Sequence, residues 1–112
     1  MKLLSIGSVI RSNDIELIIT GYHFAEEEKS FKLHYIVSLF PVGYISGQKK
    51  SQSYFAVDKE YDLVFEGYRD KYCEKYLSNI AERAESLKDM SPTLMYKIIA
   101  EANKFMEAKN NE

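Results

Sequence analysis

The sequence predicts one α+β domain, in which a small curved antiparallel sheet of about five strands is followed by two C-terminal α-helices. Residues 1–66 contain short runs of β-branched and aromatic residues separated by turn residues. Residues 67–112 change to apolar residues spaced three or four apart. The length of 112 residues, with 46% hydrophobic and 29% charged residues, fits a single domain with its own core.

The first two strands are predicted on either side of a polar turn. Residues 8–11 form a short β-branched run, and Ser12, Asn13 and Asp14 follow with side chains that favour turns. Residues 15–24 read IELIITGYHF, a composition that favours a long strand. Gly21 within this run indicates a β-bulge, where the strand bends sharply.

The clearest strand covers residues 31–40. Its apolar residues alternate with Lys32, His34 and Ser38; they are Phe31, Leu33, Tyr35, Val37 and Leu39. Ile36 and Phe40 lie on the opposite face. The far end of the strand is therefore expected to be covered on both faces.

Two shorter strands complete the sheet. Pro41, Gly43 and the polar run 47–52 predict a loop that turns the chain back, and residues 54–57 form a short aromatic strand after it. Residues 61–65 favour a fifth strand, with the start of a helix as the alternative. Such a sheet closes into an SH3-like barrel or stays an open meander, and both forms fit the sequence.

The last third of the chain predicts two amphipathic helices. The first begins at Arg69 and places one apolar stripe on the sheet, formed by Tyr72, Tyr76, Leu77, Ile80, Ala84 and Leu87. The second covers residues 91–109, with Ser91 as N-cap and Pro92 at the first helical position.

The second helix also has an apolar stripe, made of Leu94, Met95, Ile98, Ile99, Ala102, Phe105 and Met106. We expect this stripe to dock on the protein's own sheet. The alternatives are a helix of a partner or a second copy, which would give a homodimer through the last helix. Two methionines suit an adaptable contact, although methionine also fills gaps in cores.

Composition excludes several classes of protein. The formal net charge is −2, and neither half of the chain is basic, which argues against nucleic acid as the main partner. Cys73 is the single cysteine, so an internal disulfide is excluded and a reducing, cytoplasmic location fits. No apolar stretch approaches the ~20 residues that span a bilayer, so no membrane segment is expected.

No catalytic or metal-binding residues are predicted. His23 and His34 lie close together if strands two and three pair, but a zinc site needs three or four ligands. Cys73 lies on the apolar side of the first helix, where cysteines are usually inert. Phosphate loops, nucleophile elbows and metalloprotease motifs are missing from the sequence. We therefore expect a protein without cofactor or metal that is not an enzyme.

Aromatic residues are the unusual feature of the composition. The chain has nine Tyr and six Phe, thirteen of them between Tyr22 and Tyr76, and most are expected in the core. Tyrosines that reach the surface make good contact anchors. The predicted partner-binding residues, whose alternative roles are in turns and core, are Phe40, Pro41, Tyr44, Tyr54, Tyr68, Met95 and Met106.

Three segments of the chain resemble a known family. They are residues 4–10 (LSIGSVI), 40–45 (FPVGYI) and 64–68 (VFEGY). Together they resemble a small Firmicute family of unknown function, domain family 4176, whose genes lie beside LXG toxin genes of type VII secretion systems. The resemblance covers roughly the first seventy residues and does not include the second helix.

The resemblance implies a cytoplasmic accessory protein that binds a toxin or its secretion complex as a chaperone or targeting factor. The chain differs from the family at Ser5, where proline is common, and at Val42, where an acidic residue is common. Arg69-Asp70-Lys71 replaces an acidic run, which implies a different partner if that run makes the contact. The alternatives are an immunity protein that inhibits the toxin and, third, a nucleic-acid-binding small barrel.

Overall fold

The computed structural model describes residues 2–27, 30–88 and 92–110, without the side chains of residues 49, 109 and 110. The strands are β1 (Val9–Ser12), β2 (Ile15–Glu26), β3 (Phe31–Leu39), β4 (Ser53–Ala56) and β5 (Asp62–Phe65). The α-helices are α1 (Lys71–Leu87) and α2 (Pro92–Asn110), and a short 3₁₀ turn covers Lys49–Ser51. The predicted α+β class, with two helices after the sheet, is confirmed.

The five strands form one antiparallel sheet in the order β4-β3-β2-β1-β5. The sheet is open, with β4 and β5 at its two edges, and not a closed barrel. It also differs from a simple meander, because β5 pairs with β1 and not with β4. The register of the β2–β3 hairpin shifts between Ile19 and Gly21. This confirms the predicted bulge at Gly21. The fifth segment is a strand and not the start of a helix.

Helix α1 packs on one face of the sheet and closes the core. Asp70 caps it, because the Asp70 Oδ1 atom accepts a hydrogen bond of 2.8 Å from the Cys73 backbone N–H. Leu77 and Ile80 are buried against the sheet. The sheet contributes Ile10, Ile19, Leu33, Tyr35, Val37 and Phe55 to the same core.

The N-terminal segment before β1 is part of this core, although it is not itself a strand. Leu3 and Leu4 are buried. The Leu4 N–H donates a 3.0 Å hydrogen bond to the buried Tyr35 hydroxyl, and the Tyr22 hydroxyl donates a 2.5 Å bond to the Leu4 carbonyl. Burial raises the pKa of both tyrosines above the usual value.

A buried cluster, which we call the serine clasp, joins the segment before β1 to the segment after β5. It consists of Ser5, Ser8 and Gly67. The Ser5 Oγ donates to the Gly67 carbonyl, and the Gly67 N–H donates to the Ser8 Oγ, each over 2.9 Å. A Cβ atom at position 67 would lie 2.4 Å from the Ile6 carbonyl oxygen. Only glycine therefore fits at this position.

Arg69 adds a second link between the N-terminal segment and α1. Its guanidinium donates 2.8 Å to the Leu3 carbonyl and forms a two-pronged pair with Glu74, over 2.5 and 3.0 Å. The hydrogen bond from Arg69 lowers the pKa of the Glu74 carboxyl below its usual value. Arg69 and Asp70 thus have structural roles at the start of α1.

Helix α2 extends away from the rest of the molecule. Pro92 is buried at its start, whereas every residue from 96 to 108 is exposed. The Tyr96 hydroxyl hydrogen-bonds to the Glu26 carboxylate, which raises the pKa of Tyr96. The expectation that the α2 stripe docks on the protein's own sheet is therefore wrong. The proposed cap, Ser91, lies outside the described residues.

Candidate protein-binding surface

The turn after β3 lies beside the start of β2. The Phe40 N–H donates 3.0 Å to the Glu16 carbonyl, and the Gly43 N–H donates 2.7 Å to the Leu39 carbonyl. Gly43 has a φ of 72°, a conformation that glycine adopts without strain. The peptide bond between Phe40 and Pro41 is cis. These contacts hold the turn residues next to Ile15 and Leu39.

Six apolar side chains are exposed at this end of the sheet. We call this group the sheet-end patch; its members are Ile15, Leu39, Phe40, Val42, Tyr44 and Ile45. Ile15 and Leu39 belong to the same sheet face as the core residues Ile19 and Val37, because side chains on a strand alternate. Helix α1 packs against the part of this face that includes Leu33 and Tyr35. The sheet-end patch lies outside the part of the sheet that α1 covers.

This arrangement corrects the expectation for the far end of β3. The sequence predicted that both faces would be covered there, yet Leu39 and Phe40 are exposed. The reason is geometric: β2 and β3 are 12 and 9 residues long, and α1 packs against the other half of their length. Nothing in the strand pattern indicates where the helix stops covering the sheet.

A cleft of about 370 Å³ borders the patch. Its walls include Leu17, Phe55, Lys50 and Lys59. The Lys59 ammonium lies 5.0 Å from the centre of the Phe55 ring, which places a positive charge beside the apolar surface. Ser38 also borders the cleft, and its buried Oγ has no hydrogen-bond partner among the described residues.

The predicted partner-binding residues do not form one site. Phe40, Pro41 and Tyr44 lie together in the turn. Tyr54, on edge strand β4, is exposed on the opposite face of the sheet, where its ring stacks on His23 at 4.6 Å. It also lines the cleft beside the patch. Tyr68 is 83% exposed in the connection between β5 and α1.

The two methionines of the set lie on α2. Met95 is half-buried near the start of the helix, and Met106 is exposed near its end. The structure therefore divides the predicted residues among the turn, the opposite sheet face, the β5–α1 connection and α2.

The two histidines are paired neighbours in the β2–β3 hairpin, as expected from the strand prediction. His23 lies opposite His34, and both rings contact Tyr54. Among the described residues, no group of three or more His, Cys, Asp or Glu side chains could hold a metal ion. Cys73 is half-buried against the core on α1.

The prediction that most aromatic residues are in the core is wrong. Nine of the fifteen are exposed, and Tyr35 and Phe55 are the buried ones. An open sheet with one covering helix leaves many of its side chains at the surface. The aromatic residues at those positions therefore remain available for contacts with another molecule.

Sequence reasoning missed four members of the sheet-end patch, namely Ile15, Leu39, Val42 and Ile45. Ile15 and Leu39 have the alternating spacing of core residues, so their pattern gave no signal of exposure. Val42 and Ile45 did offer one, because apolar side chains in a Pro- and Gly-containing turn have no strand or helix face to bury them. That signal was available in the sequence.

No protein-family model matches the chain, and no curated protein or solved structure shows a match to it. Within the described residues, neither helix combines the length and the hydropathy that crossing a membrane requires.

Proposed function

We propose that this chain binds a protein partner through the sheet-end patch, as a cytoplasmic accessory of an LXG-type toxin of a type VII secretion system. The role is that of a chaperone or targeting factor, and no chemical step is assigned to the chain. The observation behind the proposal is that six apolar side chains in and beside the Phe40–Tyr44 turn are exposed. A group of exposed apolar side chains at one end of a sheet is a candidate interaction site.

The three segments of the family resemblance support this choice of surface. Residues 4–10 and 64–68 contain the three members of the serine clasp, so much of their sequence is explained by the fold itself. Residues 40–45 make no comparable buried contact and instead present Phe40, Val42, Tyr44 and Ile45 to solvent. Residues 64–68 also expose Val64, Phe65 and Tyr68. What distinguishes residues 40–45 is that none of them belongs to the serine clasp.

Charge at the edge of the patch indicates the chemistry of the partner. Lys50 and Lys59 border the adjoining cleft. We therefore expect the partner to present an apolar segment flanked by acidic residues, because opposite charges at the rim of an interface steer association. The side chains of Arg69 and Asp70 already form hydrogen bonds within the protein at the start of α1. We therefore do not assign them to the contact with the partner.

Co-expression with a neighbouring toxin gene tests the proposal. The toxin is expected to co-purify with the wild-type chain and to be lost with Tyr44→Ser or Val42→Ser. Tyr72→Ser is the matched control, because Tyr72 is 73% exposed on α1 and Tyr44 is 61% exposed in the patch. Equal recovery of toxin with Tyr44→Ser and Tyr72→Ser would show that the patch is not the binding surface.

An immunity protein would form the same kind of complex. The two roles differ in what the complex does, since an immunity protein abolishes the toxin's activity in vitro and a chaperone or targeting factor leaves it intact. An active toxin in the purified complex supports the accessory role. A nucleic-acid module, the third alternative, predicts retarded migration of labelled DNA or RNA at low salt.

A further inference from the structure

We propose that α2 pairs with α2 of a second copy of this chain in an antiparallel homodimer. This contact uses a different surface from the sheet-end patch and does not depend on the proposed function. It leaves the patch free on each copy, so one dimer presents two partner-binding surfaces.

The first observation is that, among the described residues, the part of the α2 apolar stripe after residue 96 is exposed. Ile98, Ile99, Phe105 and Met106 are exposed, with Phe105 at 68%. The charged residues Lys97, Lys104 and Glu107 lie on the opposite side of the helix, as a turn of 3.6 residues requires. Most helices in proteins are stabilised by packing of such a stripe, and not by helix propensity alone. The stripe of α2 therefore needs a partner surface.

The second observation is the amount of surface that one copy exposes. The accessible surface is 8398 Å², whereas a folded monomer of 13.0 kDa is expected to expose about 6,300 Å². The radius of gyration, 17.5 Å, likewise exceeds the roughly 13 Å of a compact chain of this length. A standard interface removes about 800 Å² from each partner. The excess of roughly 2,100 Å² is large enough to include such an interface.

The third observation is that four members of the stripe are placed symmetrically about Ala102. Ile98 and Ile99 precede this residue by four and three positions, and Phe105 and Met106 follow it by three and four. A two-fold axis beside Ala102 therefore brings the two isoleucines of one copy against Phe105 and Met106 of the other. A small residue at the crossing point allows the two helices to approach closely. This is the self-complementary contact that a two-fold dimer requires.

The shape of the molecule favours the antiparallel orientation. The chain measures 58 by 34 by 26 Å, and α2 joins the rest of the protein at its N-terminal end. An antiparallel pair keeps the two sheet domains at opposite ends of the helix pair. A parallel pair would bring both domains to the same end, where they would compete for space.

Two alanine substitutions on the same helix test the contact. Ala102→Glu places a charge in the stripe, and Ala100→Glu places the same charge on the opposite face; both positions are exposed in one copy. Sedimentation over a range of concentrations is expected to show a dimer for the wild type and for Ala100→Glu. Ala102→Glu is expected to raise the dimer dissociation constant at least 100-fold. Equal dissociation constants for the two variants would overturn the proposal.

Wild-type chain that stays monomeric at high concentration would also overturn the proposal, in favour of α2 binding a different protein or its own sheet. Orientation is tested by mixing two variants in a Cys73→Ser background. Chains with Ile98→Cys are expected to cross-link to chains with Met106→Cys on oxidation. Cross-linking of Ile98→Cys chains to each other, with none in the mixture, would show a parallel pair and contradict the antiparallel arrangement.

Discussion

Helices α1 and α2 have similar lengths and both have an apolar stripe, yet their surroundings are opposite. Leu77 and Ile80 of α1 are buried against the sheet. In α2, by contrast, every residue from 96 to 108 is exposed. An amphipathic pattern thus indicates that a helix forms and which face is apolar, but it does not indicate what covers that face. The difference predicts how each helix responds to mutation.

The largest difference in the loss of stability is expected between substitutions of two isoleucines. Ile80 is 8% exposed on α1 and Ile98 is 48% exposed on α2. Ile80→Ala should lower the free energy of unfolding by about 2–5 kcal/mol, because it leaves a cavity in the core. Ile98→Ala should cost less than about 1 kcal/mol when measured below the concentration at which the proposed dimer forms, because the side chain is exposed in one copy. Chemical denaturation of both variants measures the contrast, and similar losses would show that α2 is buried in the monomer.

A second difference in stability is expected between backbone-related substitutions in the serine clasp and in α2. Gly67→Ala in the serine clasp should destabilise the protein by about 3 kcal/mol, because the added Cβ would meet the Ile6 carbonyl oxygen and the Ser8 nitrogen, both backbone atoms. Ala100→Gly in α2 should cost about 1 kcal/mol or less, the loss of helix propensity. Thermal unfolding of both variants tests this order. A Gly67→Ala variant as stable as the wild type would show that the backbone around the serine clasp can shift to make room for a Cβ atom.

Alkaline pH is expected to weaken the sheet-and-α1 part of the protein. Burial raises the pKa of Tyr22 in the folded state. The Tyr22 hydroxyl therefore ionises at a lower pH in the unfolded chain than in the folded protein. Its contribution to the free energy of unfolding is complete below about pH 10 and is lost as the pH rises further through the folded-state pKa. Denaturation between pH 8 and pH 11 should show a fall in stability that is smaller in Tyr22→Phe. An equal fall in the variant would assign the effect to other groups.

The smallest effect is expected at Ser38. Its buried Oγ has no hydrogen-bond partner among the described residues. Removing an unsatisfied hydroxyl should leave stability unchanged or raise it by up to about 1 kcal/mol. Ser5→Ala is the matched control, because the Ser5 hydroxyl is also buried but donates to Gly67. Ser5→Ala should be destabilising, and a similar loss in Ser38→Ala would indicate a hydrogen bond at that site.

Much of the fold could be predicted from local sequence patterns. The alternation in residues 31–39 and the bulge at Gly21 specify the β2–β3 hairpin, and the helical spacing after residue 69 specifies both helices. The serine clasp could not be predicted, because Ser5 and Gly67 are 62 positions apart and neither belongs to a periodic run. Contacts of this kind depend on the finished fold.

The candidate site was predicted in part. Pro41 and Tyr44 were placed correctly in a turn, whereas Phe40 was expected at the covered end of the third strand and is exposed in the turn. Ile15 and Leu39 were not identified, since their spacing is identical to that of the buried residues Ile19 and Val37. The distinction depends on where α1 ends over the sheet. That position is a tertiary property that neither strand encodes.

The contribution of the N-terminal segment to the core affects how the chain folds during synthesis. Leu3 packs in the same cluster as Leu77 and Ile80, so the first and last contributors to the core are more than 70 residues apart. Contacts between distant parts of a chain slow folding, because a long loop must close before they form. On the ribosome, the nascent chain is therefore expected to remain incompletely folded until α1 has emerged. Helix α2 is synthesised after that point, and the core can form before α2 emerges because no described residue of α2 belongs to the core cluster.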